Sequence, residues 1–397
     1  GNKLRTLLSL LGVTIGIFAI ISVFSVVDSL ERNIRTSVES LGDNVVFVQK
    51  WPWSMGEDYP WWKYYQRPIP TLQELASLEQ RLEVAEAVAF VVGAGNKTAK
   101  YRTNDVDGIG VAAVSHGYQD VYGFDLSSGR YFSILESATG KPVAIIGVNI
   151  AESLFEGENP LGKVIKFMGQ KATVIGVFEK AGDSVIGSSD DDNIVLPVKF
   201  ARNFIRLNSE STNPMFMVKA KQGISNEQLK DDLTRVLRSV RRLAPKSDDN
   251  FALNETSIIS KGIDMMFGVI DLAGIIIGGF SLLVGGFGIA NIMFVSVKER
   301  TNIIGIQKAI GAKNHFILLQ FLFEAILLCL IGGVLGISVV YAGTVIAGYY
   351  IEFDIALSVS NVVTGLWVSV LIGIISGMIP AIAASKLDPV EAIRSGI

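Results

Sequence analysis

Cysteine is almost missing from this chain: Cys329 is the single one in 397 residues, and there are only two histidines. That excludes a disulfide scaffold and leaves too few ligands for a Cys/His zinc centre. Charge is scarce as well. Asp, Glu, Lys and Arg make up 18% of the chain, against roughly a quarter in an ordinary soluble domain, and the mean hydropathy is +0.42. The net charge is −3 with no long basic run, which excludes nucleic acid as a partner. The charge present is unevenly placed: of 73 charged residues, 58 fall within 28–264 and 13 within 265–397. A water-compatible block therefore sits between two apolar ends.

A bilayer core about 30 Å thick needs roughly 20 apolar residues to cross as a helix. Four stretches are long enough. Thr6 to Val27 and Leu272 to Val297 carry no charge, Phe316 to Ile351 carries only Glu324, and Ile355 to Ser385 carries none. Four spans follow, at about 1–30, 268–297, 316–350 and 361–384, the last opening at Ser360-Asn361 as an N-cap pair. A straight helix over 316–351 reaches roughly 54 Å, so it must tilt, break near Gly343 or Gly348, or project from the membrane. Basic residues collect on cytoplasmic flanks. Here Lys3 and Arg5 precede the first span, and Lys298, Arg300, Lys308 and Lys313 lie between the second and third. Lys386 and Arg394 follow the fourth, whereas the loop between the third and fourth has only the acids Glu352 and Asp354. Both termini and the 298–315 connector are thus expected in the cytoplasm, with the block between the first two spans outside. A cleaved signal peptide is the rival reading of the first span, but the run is long and no small-residue cleavage site follows it. Glycines recur four apart in every span (Gly12/Gly16, Gly274/Gly278, Gly332/Gly336, Gly373/Gly377). This spacing favours close helix packing, and a second copy is the expected neighbour.

Within the external block, Val45–Lys50 reads as a strand, Thr71-Leu-Gln-Glu74 as a capping box opening a helix, and Val84–Phe90 as a strand. Met215–Lys221 repeats the pattern. Ser225-Asn-Glu-Gln228 opens a helix that carries Leu229, Leu233, Val236, Leu237 and Val240 on one face, and Phe251–Leu253 closes the unit. The expectation is one α/β subdomain over 31–96 and 201–263, interrupted by a β-rich insert over 97–200. Overall, the fold class is an α+β membrane protein: four transmembrane helices with a two-part extracytoplasmic domain between the first and second. Seven of the fifteen residues at 51–65 are Trp or Tyr. Trp51, Trp53, Trp61, Trp62 and Tyr64 are the candidates for an external interface, against a self-packed cap or contact with the membrane surface.

Several motifs resemble chemistry. Gly157 to Lys163 matches most of a phosphate-binding loop, but Val164 replaces the Mg-holding hydroxyl and Pro160 removes a backbone donor. Asp190-Asp-Asp192-Asn193 lacks the spacing of a calcium loop and reads as a solvated acidic turn. His116 and His315 fall on opposite sides of the membrane, and Cys329 is set among Leu and Gly. No metal site and no catalytic residue is expected. Glu324 is the exception inside a span; it is read as pairing with Arg300 or Lys308, with a proton site as the alternative.

The most specific residues lie near the end. Gly288-Ile-Ala-Asn-Ile-Met293, Ser296-Val-Lys-Glu-Arg300, Ile303-Ile-Gly305-Ile-Gln-Lys308-Ala-Ile-Gly311, Phe321-Leu-Phe-Glu324-Ala and Pro380 through Leu387-Asp-Pro389-Val-Glu-Ala-Ile-Arg394 together resemble the FtsX-like permease module of bacterial ABC transporters. Asn2-Lys-Leu-Arg5, Gly129-Arg130-Tyr-Phe132, Asn159-Pro-Leu-Gly162-Lys163 and Val174-Ile-Gly176-Val177 are similar to its MacB-like branch, which accounts for the false phosphate loop. The stretch 51–65 departs from that pattern. The resemblance implies a multi-pass permease of the bacterial inner membrane that transmits ATP-driven motion to its external domain, for export or extraction of an amphipathic drug, peptide or lipoprotein. Regulation of external cell-wall hydrolases is the alternative. It implies a cytoplasmic ABC ATPase partner, which binds ATP and Mg while this chain binds no cofactor, and a second permease copy. A periplasmic adaptor and outer-membrane channel are further candidates. The ATPase is either a separate subunit or a part missing from the N-terminal end. The 298–315 connector resembles a coupling helix, with Lys298, Glu299, Arg300 and Lys308 as the docking contacts.

Overall fold

The computed structural model of the chain describes residues 3–39, 44–53, 59–180, 190–350 and 356–394. The expected acidic loop at Glu352 and Asp354 and positions 54–58 of the aromatic stretch lie outside them. Two compact units emerge: one from the chain up to Arg32 together with the part from Asp264 onward, the other over Asn33–Ile263.

In chain order, helix α1 covers Lys3–Glu39, and strand β1 (Val45–Gln49) opens the second unit. There follow α2 (Trp61–Tyr65), α3 (Leu72–Arg81), β2 (Ala85–Tyr101), β3 (Asn104–Val114), α4 (Tyr118–Tyr122), β4 (Leu126–Gly129), α5 (Ile134–Thr139), β5 (Val143–Ile146), α6 (Val148–Phe155), β6 (Val164–Phe167) and β7 (Gln170–Phe178). After these come β8 (Asn193–Pro197), α7 (Val198–Ala201), β9 (Met215–Ala220), α8 (Asn226–Val240) and β10 (Ala252–Glu255). All ten strands belong to one sheet, ordered β10-β1-β9-β2-β3-β8-β5-β7-β4, with β6 paired to β2 and β7.

The first four strands in that order are antiparallel throughout and come from two interleaved strand–helix–strand units, β1-α3-β2 and β9-α8-β10. This is the split arrangement of ferredoxin-like folds. Both helices start as their sequences dictate. Thr71 N–H donates to Glu74 Oε2 at 2.8 Å, while Ser225 Oγ accepts from Gln228 N at 3.3 Å and Gln228 Oε1 accepts from Ser225 N at 3.2 Å. Leu229, Leu233, Val236 and Leu237 of α8 are buried against the sheet, each worth roughly 1.5–3 kcal/mol of burial; Val240 is half-buried. The half-buried pair Arg241 Nε–Glu74 Oε1, 2.7 Å, ties α8 to α3. β1 is buried on both faces, Val46 and Val48 in one core layer and Val45 and Phe47 in the other, so its run is unbroken by polar alternation.

The expected insert boundary at 97 falls inside β2, where the register slips between Ala94 and Ala99. The N-terminal half of β2 pairs β9; its C-terminal half pairs β6. The insert therefore continues the same sheet. It is less purely β than its sequence suggests, because short helices α4 to α7 alternate with its strands, each too brief to show a helical period. Gly129-Arg-Tyr-Phe132 acts here. Arg130 Nη1 and Nη2 donate to Glu136 Oε2 and Oε1 at 2.8 and 2.9 Å, and Glu136 also accepts from Ser133 N at 2.9 Å. The Arg130 bonds hold the Glu136 carboxyl far below the usual carboxylate range; burial opposes them, and Ser133 N–H and Lys141 assist. Tyr131 and Phe132 stack at 3.8 Å in the second core layer.

The other unit contains α9 (Thr256–Glu299) from Asp264 onward, α10 (Thr301–Ala309), α11 (Asn314–Tyr350), α12 (Val359–Ser385) and α13 (Pro389–Arg394). α1, α9, α11 and α12 are long and apolar enough to cross a membrane. The third runs unbroken through Gly343 and Gly348, so of the three alternatives it does not break there; a helix of 37 residues reaches about 55 Å. The last begins two residues earlier than expected. Ser358 is its cap, accepting from Ser360 N at 3.1 Å, while Asn361 Nδ2 is spent on Asp28 Oδ2 at 2.8 Å. The glycine pairs show the close packing expected of them, and all four face helices of the same chain. A Cβ on Gly285 or Gly16 would meet backbone of the opposing helix at 3.1 and 3.3 Å, one on Gly336 would meet Thr14 O at 2.9 Å, and one on Gly373 would meet Ile326 Cα at 2.7 Å. Close approach within one bundle consumes this spacing, so it says nothing for a second copy.

Candidate functional site

The connector between the second and third spans is a short helix with two different faces. α9 stops at Glu299 because Arg300 leaves helical geometry (φ −102°, ψ 10°), and Thr301 Oγ1 folds back to accept the role of cap, donating to Val297 O and Lys298 O at 3.0 Å each. α10 then ends in a left-handed turn at Gly311 (φ +105°), with Gly311 N donating to Lys308 O and Ala312 N to Gln307 O, both 3.0 Å. One face of α10 buries Ile304 among Met293, Val297, Ile317, Phe321 and Ala384. The other exposes Ile303 (56%), Ile306 (46%) and Ile310 (82%), spaced three and four apart.

α13 packs beside α10. Asp388 caps it, Oδ1 accepting from Val390 N at 2.8 Å, with Pro389 at the first helical position. This explains the Leu-Asp-Pro-Val-Glu run locally. Lys298, Glu299, Thr301, Asn302, Leu387, Asp388, Glu391 and Ala392 line a cavity of about 550 Å³.

The four expected docking residues separate into two pairs. Lys298 and Glu299 are exposed and line this cavity. Arg300 and Lys308 are turned toward their own chain. Arg300 Nη1 pairs with Glu324 Oε2 at 2.9 Å, and Lys308 Nζ donates to Ser385 O at 2.6 Å and Leu387 O at 2.7 Å. Glu324 therefore has the Arg300 partner anticipated as one of two. Sequence reasoning missed Ile303, Ile306 and Ile310, although their spacing marks a face with no buried counterpart, and missed Asp388 and Glu391.

The aromatic stretch also divides. Trp51, Trp53 and Tyr64 are partly buried in local packing. Lys50 Nζ sits 5.4 Å above the Trp51 ring, Trp53 packs tilted against Phe47 with ring centres 5.0 Å apart, and Arg67 lies 4.5 Å above Tyr64. Trp61 and Trp62 on α2 are 60% and 62% exposed, as is Tyr65, which the sequence reading had not selected. Along β1, Val46 is opposite Glu255 and Gln49 opposite Ala252. Because α9 starts directly after Glu255, the aromatic stretch leaves from the opposite end of this strand pair.

The phosphate-like loop is a turn leading into β6, not into a helix. Gly162 N donates to Val174 O at 2.8 Å and Lys163 N to Pro160 O at 3.1 Å, so these two donors of a phosphate cradle are spent. Among the described residues no group of three His, Cys, Asp or Glu is placed to hold a metal. In the acidic turn Asp191 is buried and Asp192 Oδ1 accepts from Asn149 Nδ2 at 3.0 Å; this differs from the solvated loop expected.

Residues 6–236 match the family described as MacB-like periplasmic core domain, and residues 275–389 match FtsX-like permease C-terminal. The chain belongs to the MacB/FtsX-like family of ABC transporter permeases. It is 31% identical over 393 residues to the macrolide export ATP-binding/permease protein MacB of Neisseria meningitidis, covering 99% of this chain and 58% of that protein. Against the uncharacterized ABC transporter permease YknZ of Bacillus subtilis it is 30% identical over 411 residues, covering 99% and 96%. This permease chain thus spans 58% of the length of the MacB relatives. It is also similar to the crystal structure of the periplasmic region of MacB from Actinobacillus actinomycetemcomitans, at TM-score 0.45 and 18% identity, covering 57% of this chain and 95% of that one.

Proposed function

We propose that this permease works as a lever. A cytoplasmic ABC ATPase, binding ATP and Mg on its own residues, grips α10, and its closure moves the spans and thereby the domain outside the membrane. The carrying observation is the exposed Ile303, Ile306 and Ile310 face on a helix whose other side is buried. An amphipathic helix face laid in an apolar groove is a recurrent recognition mode, and the adjoining cavity with Lys298 and Glu299 adds a polar rim. The orientation rests on the basic flanks, which put both termini and α10 in the cytoplasm and the sheet domain outside.

The work done outside is export or extraction of an amphipathic molecule. Among the described residues of the spans, Glu324 is paired, and a charged midmembrane route for a polar substrate has no support. The sheet domain extends over Asn33–Ile263, more than a regulator of hydrolases requires. Trp61, Trp62 and Tyr65 are the surface proposed for an external protein partner such as an adaptor, since such rings supply large contact area with a polar handle. A second permease copy would cover the apolar face of α9, where Val269, Phe280 and Phe287 are exposed.

The test is reconstitution of the chain with its ATPase in vesicles. Extrusion of a fluorescent amphipathic drug or an acylated peptide is expected only with ATP and both subunits. Equal extrusion by this chain without the ATPase would contradict the lever.

A further inference from the structure

α10 is joined to its neighbours at two weak points: Arg300, where α9 ends, and the left-handed Gly311 turn before α11. Through the backbone alone, a push on such a short helix would be absorbed by rotation at these two places. Two polar contacts oppose that. At the N-terminal end of α10, Arg300 reaches Glu324, 24 residues on and ten residues into α11. At its C-terminal end, the Lys308 ammonium bonds Ser385 O and Leu387 O, at the end of α12. Those are carbonyls that a helix cannot satisfy internally, at the negative end of its dipole, so a cation there is doubly favoured. Charge-assisted bonds of 2.6–2.9 Å are also among the stronger ones available to a side chain. Each end of α10 is thus fastened to a different span.

Resting on the lever reading above, we propose that Arg300–Glu324 and Lys308–α12 are transmission ties: they make α10 move as one body with the third and fourth spans and do not touch the ATPase. Ile304, buried between α10 and the bundle, supplies the fulcrum. These are positioning residues.

The experiment uses the complex of the chain with its ATPase in nanodiscs, with two readouts: the amount of ATPase retained, and the ATP-dependent change in hydrogen exchange across residues 314–385. Arg300→Glu and Glu324→Arg are each expected to retain the ATPase while shrinking the exchange change about tenfold, and the double swap to restore most of it, as for residues in one network. Lys308→Arg, which can still donate to the carbonyls, should retain the response, and Lys308→Met should lose it. Restoration by the swap separates a tie from a folding defect. Loss of the ATPase from Arg300→Glu, or a double swap as defective as the single variants, overturns the proposal. Full ATPase retention by a chain carrying Ile306→Asp would instead overturn the lever reading itself.

Discussion

Ile306→Asp is expected to release the ATPase, weakening its binding at least thirtyfold, because a central apolar anchor is typically worth 2 kcal/mol or more and each 1.4 kcal/mol is tenfold. The added cost comes from placing an unpaired carboxylate in an apolar groove. The chain itself should stay folded: Ile306 is 46% exposed, and substitutions at such positions usually change stability by no more than about 0.5 kcal/mol. The same change at Ile304, 2% exposed in the bundle core, should unfold the connector instead. Binding titrations with the purified ATPase, beside thermal unfolding of the chain alone, distinguish the two effects. Stimulation of ATP turnover by the chain should vanish with binding. A variant that binds as wild type would remove the apolar face from the docking site.

Gly129→Ala should cost the external domain about 3 kcal/mol or more. Gly129 has φ +87°, and a Cβ there would lie 2.3 Å from Ile175 O and 2.7 Å from Gly176 Cα. The left-handed backbone alone costs an L-residue roughly 1 kcal/mol. The remainder comes from forcing β4 away from β7, where Arg130 N donates to Ile175 O at 3.0 Å. Displacing Arg130 would also loosen its hold on Glu136. Urea unfolding followed by tryptophan fluorescence checks this, since four of the five tryptophans lie in this domain. ATPase binding should be unaffected, because α10 belongs to the other compact unit.

Much of this architecture is legible because the physics that fixes it is local. Four uncharged runs define the long helices. Thr71 with Glu74 and Ser225 with Gln228 name the starts of α3 and α8 within a residue. What failed depends on partners distant in sequence. Ser358 could not be preferred over Ser360 without seeing Asn361 bound to Asp28. Gly373 reads the same whether its neighbour is Ile326 of this chain or a second chain. Arg300 and Lys308 are both expected partners of Glu324 from the sequence, and only the fold shows that Arg300 takes it while Lys308 reaches the end of α12. In the aromatic stretch composition marked the region, but Tyr64 and Tyr65 are adjacent and identical. Which of them is exposed follows from the turn of α2 and from Arg67.

Cysteine labelling of membranes from the outside tests the orientation on which the lever depends. In a chain with Cys329→Ala, spheroplasts treated with a membrane-impermeant maleimide should label Trp61→Cys at once. Lys313→Cys, in the exposed turn after α10, should label only after permeabilisation. Labelling of Lys313→Cys in intact spheroplasts, with Trp61→Cys protected, would contradict the account.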